Sequence, residues 1–222
     1  MDISTDLQKK LAEAIDNGSK LTISGGHSKD FFGRQVSGEE FSLAGHTGVT
    51  EYDPRELVIT TRAGTTLKEL NQLLSDNGQM LPFEPPAFGD SATIGGTLAC
   101  GFSGPRRPYM GSARDFVLGT KILNGKAEQL SFGGQVMKNV AGYDLSRLMV
   151  GAMGTLGVIL QASMKVLPKP EVETTVVQDK QVDDAIQTMN RLAGQNIPLS
   201  ASAFVDNKLY LRFSSVESSV RE

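Results

Sequence analysis

Apolar residues recur at every third or fourth position in three stretches of the chain, and this spacing predicts three amphipathic helices. They cover residues 3–17, 67–78 and 182–194, and each ends at or beside a glycine. The predicted capping residues are Ser4 or Thr5 for the first helix and Thr65 or Thr66 for the second. The predicted inward residues of the third helix are Val182, Ile186, Met189 and Ala193.

Alternating and β-branched runs predict a series of strands between and after these helices. They lie at residues 21–24, 57–62, 115–123, 127–132, 158–168, 174–178, 200–205 and 209–213. Turn residues at Asp53-Pro54, Asn124-Gly125 and Asp206-Asn207 separate several of these strands. The exchange of strands with helices predicts an α+β fold, with helices on the faces of a sheet.

Pro168 and Pro170 mark a predicted domain boundary, so the domains are residues 1–170 and 171–222. The second domain has the order β-α-β-β, which is most of a ferredoxin-like unit without its second helix and last strand. We therefore expect this domain to be truncated.

The stretch from residue 82 to residue 119 is rich in glycine and other small residues. Glycine lets a ligand approach the backbone and permits positive φ, so successive N–H groups can point at an anion. Small residues are also compatible with a close helix packing surface or with a mobile loop. A second candidate loop follows the strand at 21–24, where Gly25-Gly26 precedes Ser28 and Lys29. That pattern favours a nest of N–H donors around a diphosphate, although a glycine pair is more often a hairpin turn.

Composition narrows the function classes. The chain has 222 residues, of which 39% are hydrophobic and 21% charged, and its formal net charge is −3. This charge argues against a nucleic-acid partner, and the single cysteine, Cys100, leaves no internal disulfide and is typical of a reducing compartment. No run approaches the roughly 18 apolar residues of a transmembrane helix, and no signal-peptide core is evident. We expect a cytoplasmic location, which includes the option of attachment to the inner face of the cell membrane.

Several familiar sites are disfavoured by spacing. The glycines near residues 151–157 do not form G-x-G-x-x-G, and Gly125-Lys126 is followed by alanine rather than by the hydroxyl residue of a P-loop. Two distant histidines and one cysteine predict no metal site. A nucleophile elbow for a hydrolase is also lacking.

Two longer runs carry a family resemblance. Residues 92–123, ATIGGTLACGFSGPRRPYMGSARDFVLGTKIL, and residues 133–159, GGQVMKNVAGYDLSRLMVGAMGTLGVI, resemble the FAD-binding (PCMH-type) domain of the vanillyl-alcohol-oxidase and D-lactate dehydrogenase flavoproteins. The chain resembles more closely the smaller FAD-binding subunit of bacterial glycolate oxidase, in which KNVAGYDLSRLMVG is a characteristic run. The resemblance covers about residues 20 to 213.

The resemblance implies a two-lobed FAD-binding domain followed by a ferredoxin-like cap domain, and FAD as the cofactor. The implied cofactor-binding residues are Ser24, Gly25, Gly26, His27, Ser28, Lys29, Pro86, Thr93, Ile94, Gly95, Gly96, Ala99, Cys100, Gly101, Gly104, Gly111, Ser112, Asp115, Val117, Gly157 and Val158. Backbone N–H groups of Gly25–Lys29 and of Thr93–Gly96 are expected to meet the diphosphate. Arg106 and Lys138 are expected to stabilise a reduced flavin or to hold a substrate carboxylate.

His27 stands in a GHS context that carries a covalent flavin in related aldonolactone and alditol oxidases. We favour the alternative, in which His27 lies over the cofactor or forms hydrogen bonds within the loop. Oxidation of a 2-hydroxy acid needs a base, usually a histidine, and the chain has only His27 and His46. In related oxidoreductases the catalytic histidines come from later parts of the protein.

The expected function is therefore that of an FAD-binding subunit of a glycolate oxidase complex, which oxidises glycolate to glyoxylate. Its expected partners are a larger catalytic FAD subunit and an iron–sulfur subunit, and its role is electron transfer or assembly. Two alternatives remain open: a stand-alone FAD-dependent oxidoreductase of the 2-hydroxy acid or aldonolactone type, and a non-catalytic scaffold subunit without cofactor.

Overall fold

A computed structural model describes residues 1–134 and 142–221 of the chain. The elements are, in chain order, α1 (Ser4–Asp16), β1 (Leu21–Ser24), β2 (Glu39–Ser42), β3 (Val49–Asp53), β4 (Val58–Arg62), α2 (Leu67–Asp76), β5 (Gln79–Met80), α3 (Ile94–Cys100), α4 (Arg107–Met110), α5 (Ala113–Phe116), β6 (Val117–Leu123), β7 (Gln129–Gly133), α6 (Leu145–Leu148), β8 (Val158–Lys165), β9 (Leu167–Pro168), β10 (Val172–Asp179), α7 (Val182–Ala193), β11 (Leu199–Val205), β12 (Lys208–Ser215) and α8 (Glu217–Arg221). This mixture of helices and sheets confirms the predicted α+β class.

The largest sheet is antiparallel and has the strand order β3-β4-β8-β6-β7. Strand β4 is buried along almost its whole length, and its apolar and threonine side chains therefore face protein on both sides. The predicted Asn124-Gly125 turn joins β6 to β7, as a hairpin whose loop extends to Glu128. The sheet forms the base on which the glycine-rich segments rest.

Helices α2 and α3 cover part of this sheet and complete the main core. α2 buries Leu67, Leu70 and Leu74, and Thr66 and Glu69 form a capping box at its start. In α3, a Cβ added to Gly95 would lie 2.5 Å from the Cβ of Ala63. Glycine is needed at that position for close packing on Ala63, which directly follows β4, so helix packing explains part of the small-residue composition.

A small parallel sheet of β1 and β2 lies beside the first glycine pair. The backbone N–H of Leu43 donates to the carbonyl of Ser24, which extends the pairing past the end of the strand. Strand β2 therefore places Glu40 next to the loop that begins at Gly25.

The second sheet has the order β10-β12-β11 and is antiparallel. Together with α7 it has the connectivity of the predicted β-α-β-β unit. A separate small core contains Ala185, Leu199, Leu209 and Leu211. The domain boundary near residue 170 remains a prediction.

Charged side chains join the second sheet to the first part of the chain. Arg106, which is 6% exposed, donates from Nε to Glu84 at 3.0 Å and from Nη2 to Glu173 at 3.3 Å. Arg212 donates from Nη2 to the other oxygen of Glu84 at 2.7 Å. Glu173 lies on β10 and Arg212 on β12, so these four side chains form an ionic joint between the second sheet and the loops that contain Glu84 and Arg106.

Three details differ from the sequence prediction. Residues 113–116 form the helix α5, and the strand predicted from Asp115 begins at Val117. In α7, Val182 and Ile186 are about half exposed, whereas Ala185 faces the small core. Neither Ser4 nor Thr5 caps α1, because Ile3 holds the N-cap position without a side-chain bond and Asp2 accepts the N–H of Ser4 at 3.0 Å.

None of the helices in the described ranges combines the length and the apolar character that crossing a membrane requires.

Candidate functional site

The two predicted glycine loops meet in the structure. A Cβ added to Gly26 would lie 1.5 Å from the carbonyl oxygen of Ser91, and one added to Gly25 would lie 2.6 Å from Oγ1 of Thr93. The hydroxyl of Ser91 also donates to the carbonyl of Gly26. Segments 65 residues apart in sequence thus form one surface, and glycine at both positions allows the contact.

The first loop presents open backbone donors. The N–H groups of residues 26–31 donate to no acceptor within residues 1–134 or 142–221. His27 has a φ of 55°, so the loop turns through the left-handed region between Gly26 and Ser28. A run of unpaired N–H groups around such a turn is the usual backbone arrangement for binding phosphate oxygens.

The second loop is different. The N–H groups of Ile94 and Gly95 donate to the carbonyls of Thr65 and Ala63, at 2.9 and 2.8 Å, and the N–H of Gly96 donates to Oγ1 of Thr93. The first two N–H groups are therefore already used, and we correct their predicted contact with a diphosphate to a structural one. The groups of the second loop that lie at the contact with the first loop are the carbonyl and hydroxyl of Ser91 and the hydroxyl of Thr93.

Lys29 places a positive charge under the first loop. Its side chain is buried, and its ammonium donates to Oγ of Ser28 at 3.2 Å. It forms no ion pair with a carboxylate in the described ranges. Burial lowers the pKa of Lys29, and the nearby Cys100 acts in the opposite direction. A buried ammonium without a counter-ion is costly, and an anionic ligand at the loop would compensate it.

Cys100 is half-buried at the end of α3. Burial raises the pKa of its thiol, so it is mainly protonated near neutral pH. Its proximity to Lys29 shows that the end of α3 faces the first loop.

His27 is held by two carboxylates. Its Nδ1 lies 2.8 Å from Asp30 and its Nε2 lies 2.9 Å from Glu40, which also accepts a bond from the hydroxyl of Ser24. The bond to Asp30, followed by the bond to Glu40, raises the pKa of His27. Both ring nitrogens are therefore engaged, which is the arrangement expected for a histidine that organises the loop rather than for one that carries a flavin.

The segment after α3 is fixed by backbone contacts. The N–H groups of Gly151 and Met153 donate to the carbonyls of Leu98 and Ala99. Gly101 has a φ of 70°, and Gly104 approaches the carbonyl of Glu84. Ala99, Gly101 and Gly104 are thus close to the 151–157 turn and to the loop that contains Pro86.

Other predicted residues have structural contacts of their own. Gly111 lies beside Asp115, and Ser112 and Asp115 form the capping box of α5. Hydrogen bonds from the backbone and hydroxyl of Ser112 lower the pKa of Asp115. Val117 pairs with Met164 and Val158 with Leu123, so Val117 and the Gly157-Val158 turn lie at opposite ends of the β6–β8 pair and do not come together.

The structure describes one of the two cations that were predicted to meet a substrate or a reduced flavin, Arg106, and not the other. Arg106 binds Glu84 and Glu173 and therefore belongs to the ionic joint, while its role at a substrate or reduced flavin stays a prediction. Lys138 lies outside the described residues.

Sequence reasoning overlooked four phenylalanines beside the loops. Phe31 and Phe32 follow Lys29, Phe88 precedes Ser91, and Phe102 follows α3. Their rings are in mutual contact. Apolar residues next to glycine-rich segments could have been noticed in the sequence, but their contact depends on the meeting of three loops.

The fold and the site together define a flavin-nucleotide-binding domain. Residues 4–133 match the family model described as "FAD binding domain", and the chain therefore belongs to this family. The open N–H groups of the first loop and the buried Lys29 fit the anionic diphosphate of FAD, the cofactor of the family.

Individual relatives narrow the comparison. The chain is 47% identical over 220 residues to the glycolate oxidase subunit GlcE of Escherichia coli K12, and the aligned region covers 99% of this chain and 63% of that protein. It is 32% identical over 164 residues to the glycolate oxidase subunit GlcD of Bacillus subtilis 168, and the aligned region covers 73% of this chain and 35% of that protein. The chain thus spans less than two thirds of the length of either relative.

A solved structure supports the fold alone. Alkyldihydroxyacetonephosphate synthase superposes with a TM-score of 0.77 at 18% identity, over 98% of this chain and 46% of that one.

Proposed function

We propose that the chain is the FAD-binding part of a glycolate oxidase subunit, in a complex that oxidises glycolate to glyoxylate. The observation that carries the proposal is the 47% identity to GlcE across 99% of the chain. The similarity to GlcD, at 32% identity, supports the view that a homologous flavin subunit is the partner. We also include an iron–sulfur subunit in the proposed complex, and we place the complex in the cytoplasm, where it could lie at the inner face of the cell membrane.

The first loop supports a defined way of holding the cofactor. The N–H groups of residues 26–31 and the ammonium of Lys29 would bind the diphosphate oxygens of FAD. Ser91 and Thr93 would close the other side. When bound, FAD supplies the capacity to accept and release electrons, and the chain supplies the charge and the geometry that retain it.

The histidines favour an electron-transfer or assembly role for this subunit. A general base must reach the substrate hydroxyl with a free nitrogen. Nδ1 of His46 accepts the N–H of Ile3 at 3.2 Å in the core, and both nitrogens of His27 face carboxylates. Neither of the two histidines in these 222 residues is thus placed to take the hydroxyl proton, and the proposal assigns the oxidation of glycolate to the GlcD-type partner.

The proposal is tested with purified chain reconstituted with FAD, alone and together with a GlcD-type partner. Glycolate-dependent reduction of an artificial dye should be negligible for the chain alone and should require the partner. Co-purification of the two proteins should be measured in parallel. Rapid glycolate oxidation by this chain alone would contradict the division of roles, and a failure to associate would contradict the complex.

A further inference from the structure

Glu84 has a backbone conformation that its place in the sequence disfavours twice. Its φ is 42°, in the left-handed region that few residues other than glycine adopt. It also directly precedes Pro85, and a proline ring pushes the residue before it towards extended conformations. Strain of this kind persists only where the surrounding structure imposes it, and it is concentrated at functional sites. The contacts of Glu84 therefore indicate what the strained conformation serves.

Two arginines hold the side chain of Glu84. One carboxylate oxygen accepts a hydrogen bond from Nε of Arg106 at 3.0 Å, and the other accepts one from Nη2 of Arg212 at 2.7 Å. The side chains of Glu84 and Arg212 are each 20% exposed and that of Arg106 is 8% exposed, so water and salt screen these ion pairs only weakly. Arg212 is itself fixed, because its Nε donates to Oγ of Ser200 on the neighbouring strand β11 at 3.0 Å. Both carboxylate oxygens are thus anchored, one of them to the second sheet.

The backbone of Glu84 lies against the segment that follows α3. A Cβ added to Gly104 would lie 2.0 Å from the carbonyl oxygen of Glu84, so the contact requires glycine. The N–H of Gly104 donates to the carbonyl of Phe83 at 2.7 Å, and this bond joins the two segments. Gly104 is one of the predicted cofactor-binding residues. A different φ at Glu84 would turn its carbonyl away from Gly104, because the carbonyl rotates with that dihedral angle.

Glu84 also begins the loop that reaches the first glycine loop. From Glu84 the chain passes through Pro86, another predicted cofactor-binding residue, to Ser91, which contacts Gly26. Pro85 and Pro86 have restricted φ angles, so the start of this loop is stiff and its direction depends on the conformation of Glu84. Glu84 thus connects the second sheet to two segments of the candidate cofactor site.

We propose that Glu84 is a positioning residue of the cofactor site, and that Arg212 makes the affinity for FAD depend on how the second sheet is docked. This inference rests on the proposed function, because it concerns the same cofactor. While Arg212 binds Glu84, the left-handed backbone is maintained, and Gly104 and Pro86 keep their places. When the second sheet moves away, Glu84 relaxes towards the extended conformation that Pro85 favours. A change in the docking of the second sheet therefore changes how firmly the chain holds its cofactor.

The test compares Arg212→Met with the matched control Tyr109→Phe. Both variants remove a side-chain link between the second sheet and the first part of the chain, because the hydroxyl of Tyr109 lies 2.7 Å from Oγ of Ser202 on β11. Tyr109→Phe leaves the bond between Arg212 and Glu84 in place. Dissociation constants for FAD are measured by visible absorption. Amide hydrogen exchange at Gly104 is measured on the chain without cofactor, and urea unfolding curves establish that every variant is folded.

Arg212→Met should weaken FAD binding by roughly tenfold, since the release of ordinary backbone strain leaves about a tenth of the molecules in the binding conformation. Hydrogen exchange at Gly104 should become faster by roughly tenfold as its bond to Phe83 opens more often. Tyr109→Phe should leave both quantities within about twofold of the unsubstituted chain. Arg212→Lys should recover part of the loss, because its ammonium can still pair with Glu84.

Glu84→Gln tests the same interaction from its other side. It should weaken FAD binding as Arg212→Met does, and the double variant should bind little more weakly than the weaker single variant, because the two residues act through one contact. Equal effects of Arg212→Met and Tyr109→Phe would overturn the inference, since general loosening of the second sheet would then explain them. Unchanged exchange at Gly104 in Arg212→Met would overturn it too. If the unsubstituted chain binds no FAD, the proposed function fails, and the exchange rates still decide whether Arg212 holds the segment in place.

Discussion

At the scale of single residues, the buried ammonium of Lys29 links stability to function. It is compensated within the described chain only by the hydroxyl of Ser28, so the unliganded fold bears the cost of the charge. Lys29→Met should therefore raise the free energy of unfolding of the unliganded protein, by about 1 kcal/mol. It should also weaken FAD binding by roughly tenfold, since a charge-assisted hydrogen bond is lost.

Urea unfolding without ligand and FAD titration measure the two effects on the same variant. The matched control is Lys169→Met, which removes an exposed ammonium that bonds Ser75 at 2.6 Å, away from the loops. A Lys29 variant that loses stability and keeps its FAD affinity would contradict the assignment.

The two histidines should titrate on opposite sides of the ordinary value of 6.5. The bonds to Asp30 and Glu40 raise the pKa of His27, whereas burial lowers the pKa of His46. Imidazole NMR resonances of the unsubstituted chain and of His27→Asn assign each titration. The assignment is contradicted if the resonance lost in His27→Asn is the one with the lower pKa.

Stability should depend on pH through His46 with a definite sign. Its folded-state pKa is lowered, so its contribution is complete above 6.5, where the unfolded histidine is also neutral. As the pH falls below that value, the unfolded chain binds the proton first, and the free energy of unfolding declines. Urea unfolding at a series of pH values should show this decline, and it should be smaller in His46→Gln. An equal decline in both proteins would exclude His46 as its cause.

At the scale of elements, the contact between the two glycine loops can be tested directly. Gly26→Ala should lower the free energy of unfolding by about 1–3 kcal/mol, because its Cβ would overlap the Ser91 carbonyl oxygen at 1.5 Å and the loops would have to separate. FAD affinity should fall with it. Gly125→Ala is the control, because its Cβ would meet no atom within 4 Å.

Urea unfolding and FAD titration are the measurements for this pair. Equal stability of the Gly26→Ala and Gly125→Ala variants would show that the contact between the loops does not contribute.

Regular periodicity made some elements predictable. The leucine spacing of α2 and its Thr66–Glu69 capping box identified both the helix and its buried face. Strand β2 was not predicted, since its sequence EEFS is short and mostly polar, and its strand character comes from pairing with β1. The inward face of α7 was predicted only in part, because Met189 packs against the small core as predicted whereas Val182 and Ile186 are about half exposed.

At the scale of the whole molecule, the ionic joint holds the second sheet against the first part of the chain. Glu84 is central, since its two oxygens accept from Arg106 and Arg212. Glu84→Gln should lower the free energy of unfolding by about 2 kcal/mol, because two largely buried guanidinium groups lose their shared carboxylate. The control is Lys68→Met, which breaks an ion pair with Asp90 that is open to solvent.

Urea unfolding compares the two variants, and limited proteolysis near residue 170 reports whether the sheets separate. A Glu84 variant no less stable than the Lys68 variant would contradict a joint of this strength.

The site was predictable only in part. Glycine composition and the family resemblance pointed to both loops, but the sequence could not show that Gly26 touches Ser91 or that Lys29 is buried. Such facts arise from long-range packing. The same packing places Arg106 between the carboxylates of Glu84 and Glu173. From the sequence alone, Arg106 had been expected to be available to a ligand.

The most direct test of the whole account is the flavin content of the purified chain. After removal of bound nucleotide, titration with FAD followed by visible absorption should show saturable binding of one FAD per chain, released on denaturation because His27 is engaged by Asp30 and Glu40. A chain that folds yet shows no saturable change in the flavin spectrum would contradict the account.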